Sequence, residues 1–164
     1  MKHDFHEVPF GPSTLVKLAL FEGYFAKWLP VFLHLSPQPS QINVVDFFSG
    51  PGEDPEHVSG SPLLLLKQLR LFKSTLGPWF GKINLIFNDA DQGKTERLEA
   101  LLHEKFSDVM EYARVTVRCA EFADLFSELR PSLSDPGAAN LLFVDQTGVR
   151  ELHQETFRNI AALL

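Results

Sequence analysis

Four apolar runs in this chain end on or beside a carboxylate, and the first also runs into a glycine turn. The stretch VVDFFSGPGEDPEHVSGSP (44–62) sets Asp46 ahead of Gly50 and Gly52. NLIFNDAD ends on Asp89 and Asp91, VTVRCAE on Glu121, and LLFVDQTG carries Asp145. Glycine lacks a Cβ, so a Gly-x-Gly turn can take positive φ and bring backbone close to a ligand. A carboxylate at the end of a neighbouring strand can accept from both hydroxyls of a ribose. The chemistry that this set suits is the holding of a nucleoside. A lone Gly-x-Gly would read better as a tight turn with solvated acids around it. The repetition of acids at successive strand ends is what favours a nucleoside site.

The loop composition narrows the ligand. A dinucleotide fold needs its glycines to open directly into a helix, so that the pyrophosphate meets the helix N-terminus. In this chain Glu53, Asp54 and Glu56 follow the glycines instead. They would repel a pyrophosphate and tolerate a cationic, phosphate-free ligand such as S-adenosylmethionine. Gly93-Lys94-Thr95 imitates the end of a phosphate-binding P-loop, but position 88 is Asn where that loop requires glycine. Asp91 reads as a helix cap and Lys94 as surface.

These residues need a scaffold that lines up strand ends, and the order of elements supplies one. A helix is expected over about 13–30, with Ser13 and Thr14 as hydroxyl caps, Leu15, Leu18, Phe21, Phe25 and Trp28 on its buried face, and Pro30 kinking or ending it. A Pro- and Ser-rich linker fills 36–41. An α/β core then covers 42–164: strands at 42–47, 82–89, 112–120 and 140–145, separated by helices at 61–76, 93–108 and from 121, with a last helix at 151–164. Ser61 is the expected cap of the second helix, with Pro62 at its first position. Strands that are almost wholly apolar and alternate with helices mean a parallel sheet covered on both faces. The expected fold is therefore α/β and Rossmann-like, one domain with at least four strands, its ligand at their carboxyl ends.

With 164 residues, 45% of them hydrophobic, the chain can bury a real core. A net charge of -6 provides no overall basic field for nucleic acid or an acidic membrane. Cys119 is the single cysteine, which excludes an internal disulfide and a cysteine-based zinc cluster and suits a reducing compartment, so a cytoplasmic location is expected. The apolar segment near 15–35 is broken by Lys17, Glu22, Lys27 and Pro30, and no membrane span is expected. The six histidines show no ligand spacing, and no metal site is expected. His57 reads as part of a mobile polar loop, and Cys119 as a buried or half-buried small hydrophobe.

VDFFSGPGE followed by GSPLLLLKQL resembles the three-Cys-motif partner proteins, a bacterial and phage-associated family with a class I methyltransferase-like fold. KLALFEGYFAKWLPVFL is similar to that family's leading helix, and LLFVDQTGV to its fourth-strand motif. The resemblance covers about residues 14–160 in order. It implies S-adenosylmethionine as a small-molecule cofactor, with Asp46 under its methionine end, Phe48, Gly50 and Gly52 in the loop around it, Asp89 on the ribose and Glu121 near the adenine. Asp145 would take the catalytic position that orients a target nitrogen. Two departures bear on activity. Gln146 and Thr147 replace the family's proline and aromatic residue, which puts methyl transfer in question more than cofactor binding. A class I methyltransferase sheet has seven strands, so a partial or truncated sheet is expected here. Methyl transfer to an unidentified acceptor is one implied function, and a catalytically inactive module that binds a partner protein is the other. The phage association brings nucleic acid in as a target, without support from the charge. DFFSGPG is also similar to the opening motif of DNA cytosine-C5 methyltransferases, but Cys119 does not stand where their nucleophile would.

Overall fold

The computed structural model describes residues 8–34, 37–76, 79, 81–144, 158 and 160. Helix α1 (Pro12–Leu33) leads into strand β1 (Gln41–Asp46). Helices α2 (Ser61–Leu71) and α3 (Lys73–Leu76), strand β2 (Lys82–Asn88), helix α4 (Gln92–Phe106), strand β3 (Arg114–Arg118), helix α5 (Phe122–Leu133) and strand β4 (Ala138–Phe143) follow. The four strands form one sheet in the order β3-β2-β1-β4, parallel throughout. The expected α/β, Rossmann-like architecture is therefore present among the described residues.

The order explains where the helices lie. From β1 to β2 to β3 the chain steps one way across the sheet, and from β3 it returns past β2 and β1 to reach β4. Right-handed crossovers place helices on opposite faces when the direction reverses. Two cores result. Ile42, Val44, Leu85 and Phe87 pack with Phe25 and Leu29 of α1, Leu66 of α2 and Leu98 and Leu102 of α4. Val45 and Phe47 face the other way, onto Phe122, Leu125 and Phe126 of α5. Side chains alternate faces along a strand, so β1 divides its residues between the two cores and is buried on both sides. The same alternation turns Asp46 toward the α2 side.

A polar row crosses the α5 face. Asn84 Nδ2 donates to Asn43 Oδ1, Asn43 Nδ2 to Asn140 Oδ1, each at 2.8 Å, and Asn140 Nδ2 to the Leu133 carbonyl. The three asparagines are register partners on β2, β1 and β4. A register slip of one residue would turn these amides onto the apolar α1–α2–α4 face, so the row holds the strand ends level.

Local boundaries differ from expectation for identifiable reasons. The cap of α1 is Gly11 rather than Ser13 or Thr14, with Pro12 in the first turn, where its missing N–H costs nothing. Pro30 does not end α1, which continues to Leu33. The buried face of α1 is Phe21, Phe25, Leu29 and Leu33; Leu15 is 43% exposed and lines a groove instead of the core. Asp91 caps α4 as expected, accepting from Lys94 N at 3.1 Å. The expected last helix at 151–164 lies outside the described residues apart from positions 158 and 160.

Candidate functional site

The carboxyl ends of β1, β2 and β3 lie side by side, and Asn88 joins them. It is 1% exposed, and its Nδ2 donates to the Phe47 carbonyl at 3.1 Å and the Ala120 carbonyl at 2.9 Å. Its Oδ1 accepts from Ala120 N, and its own carbonyl receives Ser49 N and Oγ. One amide thus closes the loop after β1 onto the loop after β3. Sequence reasoning treated position 88 only as the missing glycine of a P-loop. The available signal was an asparagine at the last place of an otherwise apolar strand, where a buried amide must find partners.

Of the residues expected to hold a cofactor, Asp46, Phe48, Gly50, Gly52, Asp89 and Glu121 all fall on this edge. Gly50 and Gly52 have φ of 62° and 90°, the left-handed region that favours glycine. The close approach at Gly52, however, is to the protein itself. A Cβ on Gly52 would stand 2.7 Å from Leu98 Cδ1 and 2.9 Å from Leu63 Cδ1, and the Gly52 carbonyl accepts from Gly60 N at 2.7 Å. Asp46 is fully buried. Its Oδ2 accepts from Ser61 Oγ at 2.6 Å and its Oδ1 from Phe48 N at 3.2 Å. Ser61 is therefore not the cap of α2, a place taken by Gly60; its hydroxyl ties the helix to the end of β1. Phe48 is half-buried and stacks on Phe122 of α5, with ring centroids 5.8 Å apart. Asp89 is partly exposed, and its Oδ1 holds Asp91 N at 2.9 Å. Glu121 is exposed at the start of α5 and makes no side-chain cap. Asp145, with Gln146 and Thr147, lies outside the described residues.

Of the three acids after the glycines, Glu56 is exposed, but the other two are not solvated. Glu53 and Asp54 are 4% and 1% exposed. An antiparallel bridge between Glu53 and Ser59 closes residues 53–59 into a strap over the start of α2. Glu53 Oε2 receives Lys105 Nζ of α4 at 2.8 Å, and Oε1 pairs with His57 Nδ1 at 2.8 Å. Asp54 Oδ2 accepts from Phe10 N, just ahead of α1, and Oδ1 accepts from Glu56 N and Val58 N. Ser59 Oγ receives Lys67 Nζ of α2. The strap therefore fastens the start of α1 and α4 through two buried carboxylates, each supplied with more than one donor, and α2 through the Ser59 hydroxyl. The Lys105 ammonium holds Glu53 below its ordinary 4.5 against the opposing effect of burial. Burial raises Asp54, but the amides of Phe10, Val58 and Glu56 together bring it below 3.8. His57 is exposed on the strap, with φ of 62°. The sequence reading missed the two buried carboxylates because acids beside glycine and proline look solvated until donors from distant elements reach them.

A groove of about 390 Å³ opens between α1, α2 and the strap, with Leu15, Leu18 and Leu64 in its floor and Glu22, His57 and Lys67 among its walls. None of the expected cofactor residues lines it. Cys119 is exposed rather than buried, its Sγ 3.6 Å from the Ala90 carbonyl. Among the described residues no cluster of three or more His, Cys, Asp or Glu side chains is placed to hold a metal ion, and no helix is long and apolar enough to cross a membrane. No protein-family model and no curated protein matches the chain.

Proposed function

We propose that the carboxyl edge of β1–β3 binds a nucleoside-bearing cofactor, S-adenosylmethionine, as in a class I methyltransferase-like protein of the three-Cys-motif partner type. The observation that carries this reading is the strand order β3-β2-β1-β4, which puts the β1–β4 boundary, the switch point of a doubly wound sheet, beside the turn with Gly50 at φ 62°. Ligands of such sheets sit at that point, outside the carboxyl ends. Asp89 is the residue best suited to the ribose: it is partly exposed at the end of β2, and Asp91 N and Arg118 O already fix its backbone and one carboxylate oxygen. Asp46 acts through the loop, holding Phe48 N and Ser61 so that the turn keeps its shape.

If methyl transfer occurs, the chain contributes orientation and proximity, and the acceptor attacks the sulfonium methyl in line. Asp145 is the residue proposed to hold the acceptor or take its proton. Calorimetric titration of the chain with S-adenosylmethionine tests the binding step. We expect saturable heat and a raised melting temperature, both weakened by Asp89→Ala. Neither signal in the wild-type chain would sink this reading.

The second reading, a methyltransferase-like module that binds a partner protein without catalysis, is favoured by a separate observation. Val16, Leu20, Tyr24 and Val31 form an exposed apolar stripe on α1, each more than half accessible. Cofactor binding without methylation of protein or nucleic-acid extracts would support it.

A further inference from the structure

The strap joins the glycine turn to the start of α1 and to α4 through Asp54 and Glu53, and to α2 through the Ser59 hydroxyl; the first two joints depend on a carboxylate keeping its charge. Glu53 directly follows Gly52, and Gly60 N returns to the Gly52 carbonyl at 2.7 Å, so the strap and the turn share one closed end. Asp54 holds the entrance of α1 through Phe10 N at 2.8 Å, and Glu53 holds α4 through Lys105 at 2.8 Å.

We propose that residues 53–59 are an acid-released clamp: protonation of Glu53 and Asp54 frees the strap from α1 and α4, and with it the glycine turn that the strap closes. The charged groups around the strap are of both signs. On the strap itself stand Glu56 and His57; α4 presents Lys105, α2 presents Lys67, and α1 presents Glu22 across the groove. A protonated Asp54 offers a hydroxyl where Phe10 N, Glu56 N and Val58 N need an acceptor. A protonated Glu53 leaves Lys105 without its counter-charge. Both carboxylates have folded-state affinities for protons below the ordinary ones, so the closed form is favoured above the ordinary values and loses that advantage as pH falls below them.

The test is native-state hydrogen exchange on the whole chain between about pH 6 and about pH 3, corrected for the intrinsic rate. The amides of Phe10, Glu56, Val58 and Gly60 report on the clamp, and those of Val44 and Leu85 on the sheet. We expect clamp opening to rise by up to about tenfold per pH unit for each coupled carboxylate, starting below about pH 5, while the sheet amides stay protected. Lys105→Met removes the group that lowers Glu53, so release should move to higher pH. The Glu53→Gln, Asp54→Asn double variant should lose the pH dependence. Clamp and sheet amides losing protection together, or an unmoved release in Lys105→Met, would overturn the proposal. If the double variant does not fold, the wild-type series and Lys105→Met decide alone. No cofactor enters this measurement, so its outcome is independent of S-adenosylmethionine binding.

Discussion

Truncating Asp54 to alanine isolates the energetics of a carboxylate that looks like surface in the sequence. Its two oxygens accept three backbone N–H bonds, at 2.8 Å from Phe10, 2.9 Å from Glu56 and 2.8 Å from Val58. Hydrogen bonds to a charged group contribute about 1.5–3 kcal/mol each when fully buried. Three would set a ceiling of roughly 4.5–9 kcal/mol. Two effects lower it. Pro55 to Val58 are themselves exposed, so water screens the charge and reaches the freed Glu56 and Val58 amides. On the proposed release of the strap without unfolding of the sheet, the loss is also limited to the strap's own docking energy. We therefore expect Asp54→Ala to cost about 2–4 kcal/mol at pH 7. For a chain of this length, a cost of about 3 kcal/mol corresponds to a fall in Tm of roughly 6–12 °C. Urea unfolding followed by circular dichroism at pH 7 and pH 3 measures the effect. Because Asp54 is held below its ordinary 3.8, its stabilisation is present above that value and declines as pH falls through the lowered one. The gap between wild type and variant should narrow at pH 3. A cost under about 0.5 kcal/mol at pH 7, the size of an ordinary surface substitution, would mean that Asp54 is no structural anchor, as would an equal cost at both pH values.

Two further substitutions test the carboxyl edge. Gly52→Ala should destabilise by about 2–4 kcal/mol in the same urea assay, because the residue has φ of 90° and a Cβ would enter the space of Leu98 and Leu63. A cost below about 1 kcal/mol would mean that the turn relaxes freely. Asn88→Ala should cost about 3 kcal/mol, since it orphans the Phe47 and Ala120 carbonyls and Ala120 N together. Hydrogen exchange should show faster opening at Ser49 and Ala120 than at Leu85, and uniform loosening would argue against a local clamp.

Much of the scaffold is legible from apolar spacing alone. INVVDF, KINLIFND and NLLFVD are short, β-branched or apolar runs between helical patterns, and that is enough to imply parallel strands buried on both faces. Asp91 could be read as a cap because its partner, Lys94 N, is three residues away. The alignment of Asp46, Asp89 and Glu121 on one edge follows from the alternation too, since every strand of a parallel sheet ends on the same side. Strand order is a different matter. Nothing in the composition of β4 says that it lies beside β1 rather than β3, yet this placement creates the switch point on which the proposed cofactor site rests.

Which residues stand at the ends of the strands is written in the chain, because periodicity and glycine placement are local properties. Tertiary structure alone decided what the carboxylates do. Asp46 meets Ser61 fifteen positions on, Glu53 meets Lys105 fifty-two positions on, and Asp54 meets Phe10 forty-four positions back. Whether an acid repels a ligand, holds a sugar or fastens a helix depends on which donors reach it. Those donors arrive from elements that only the packed sheet and its helices bring together.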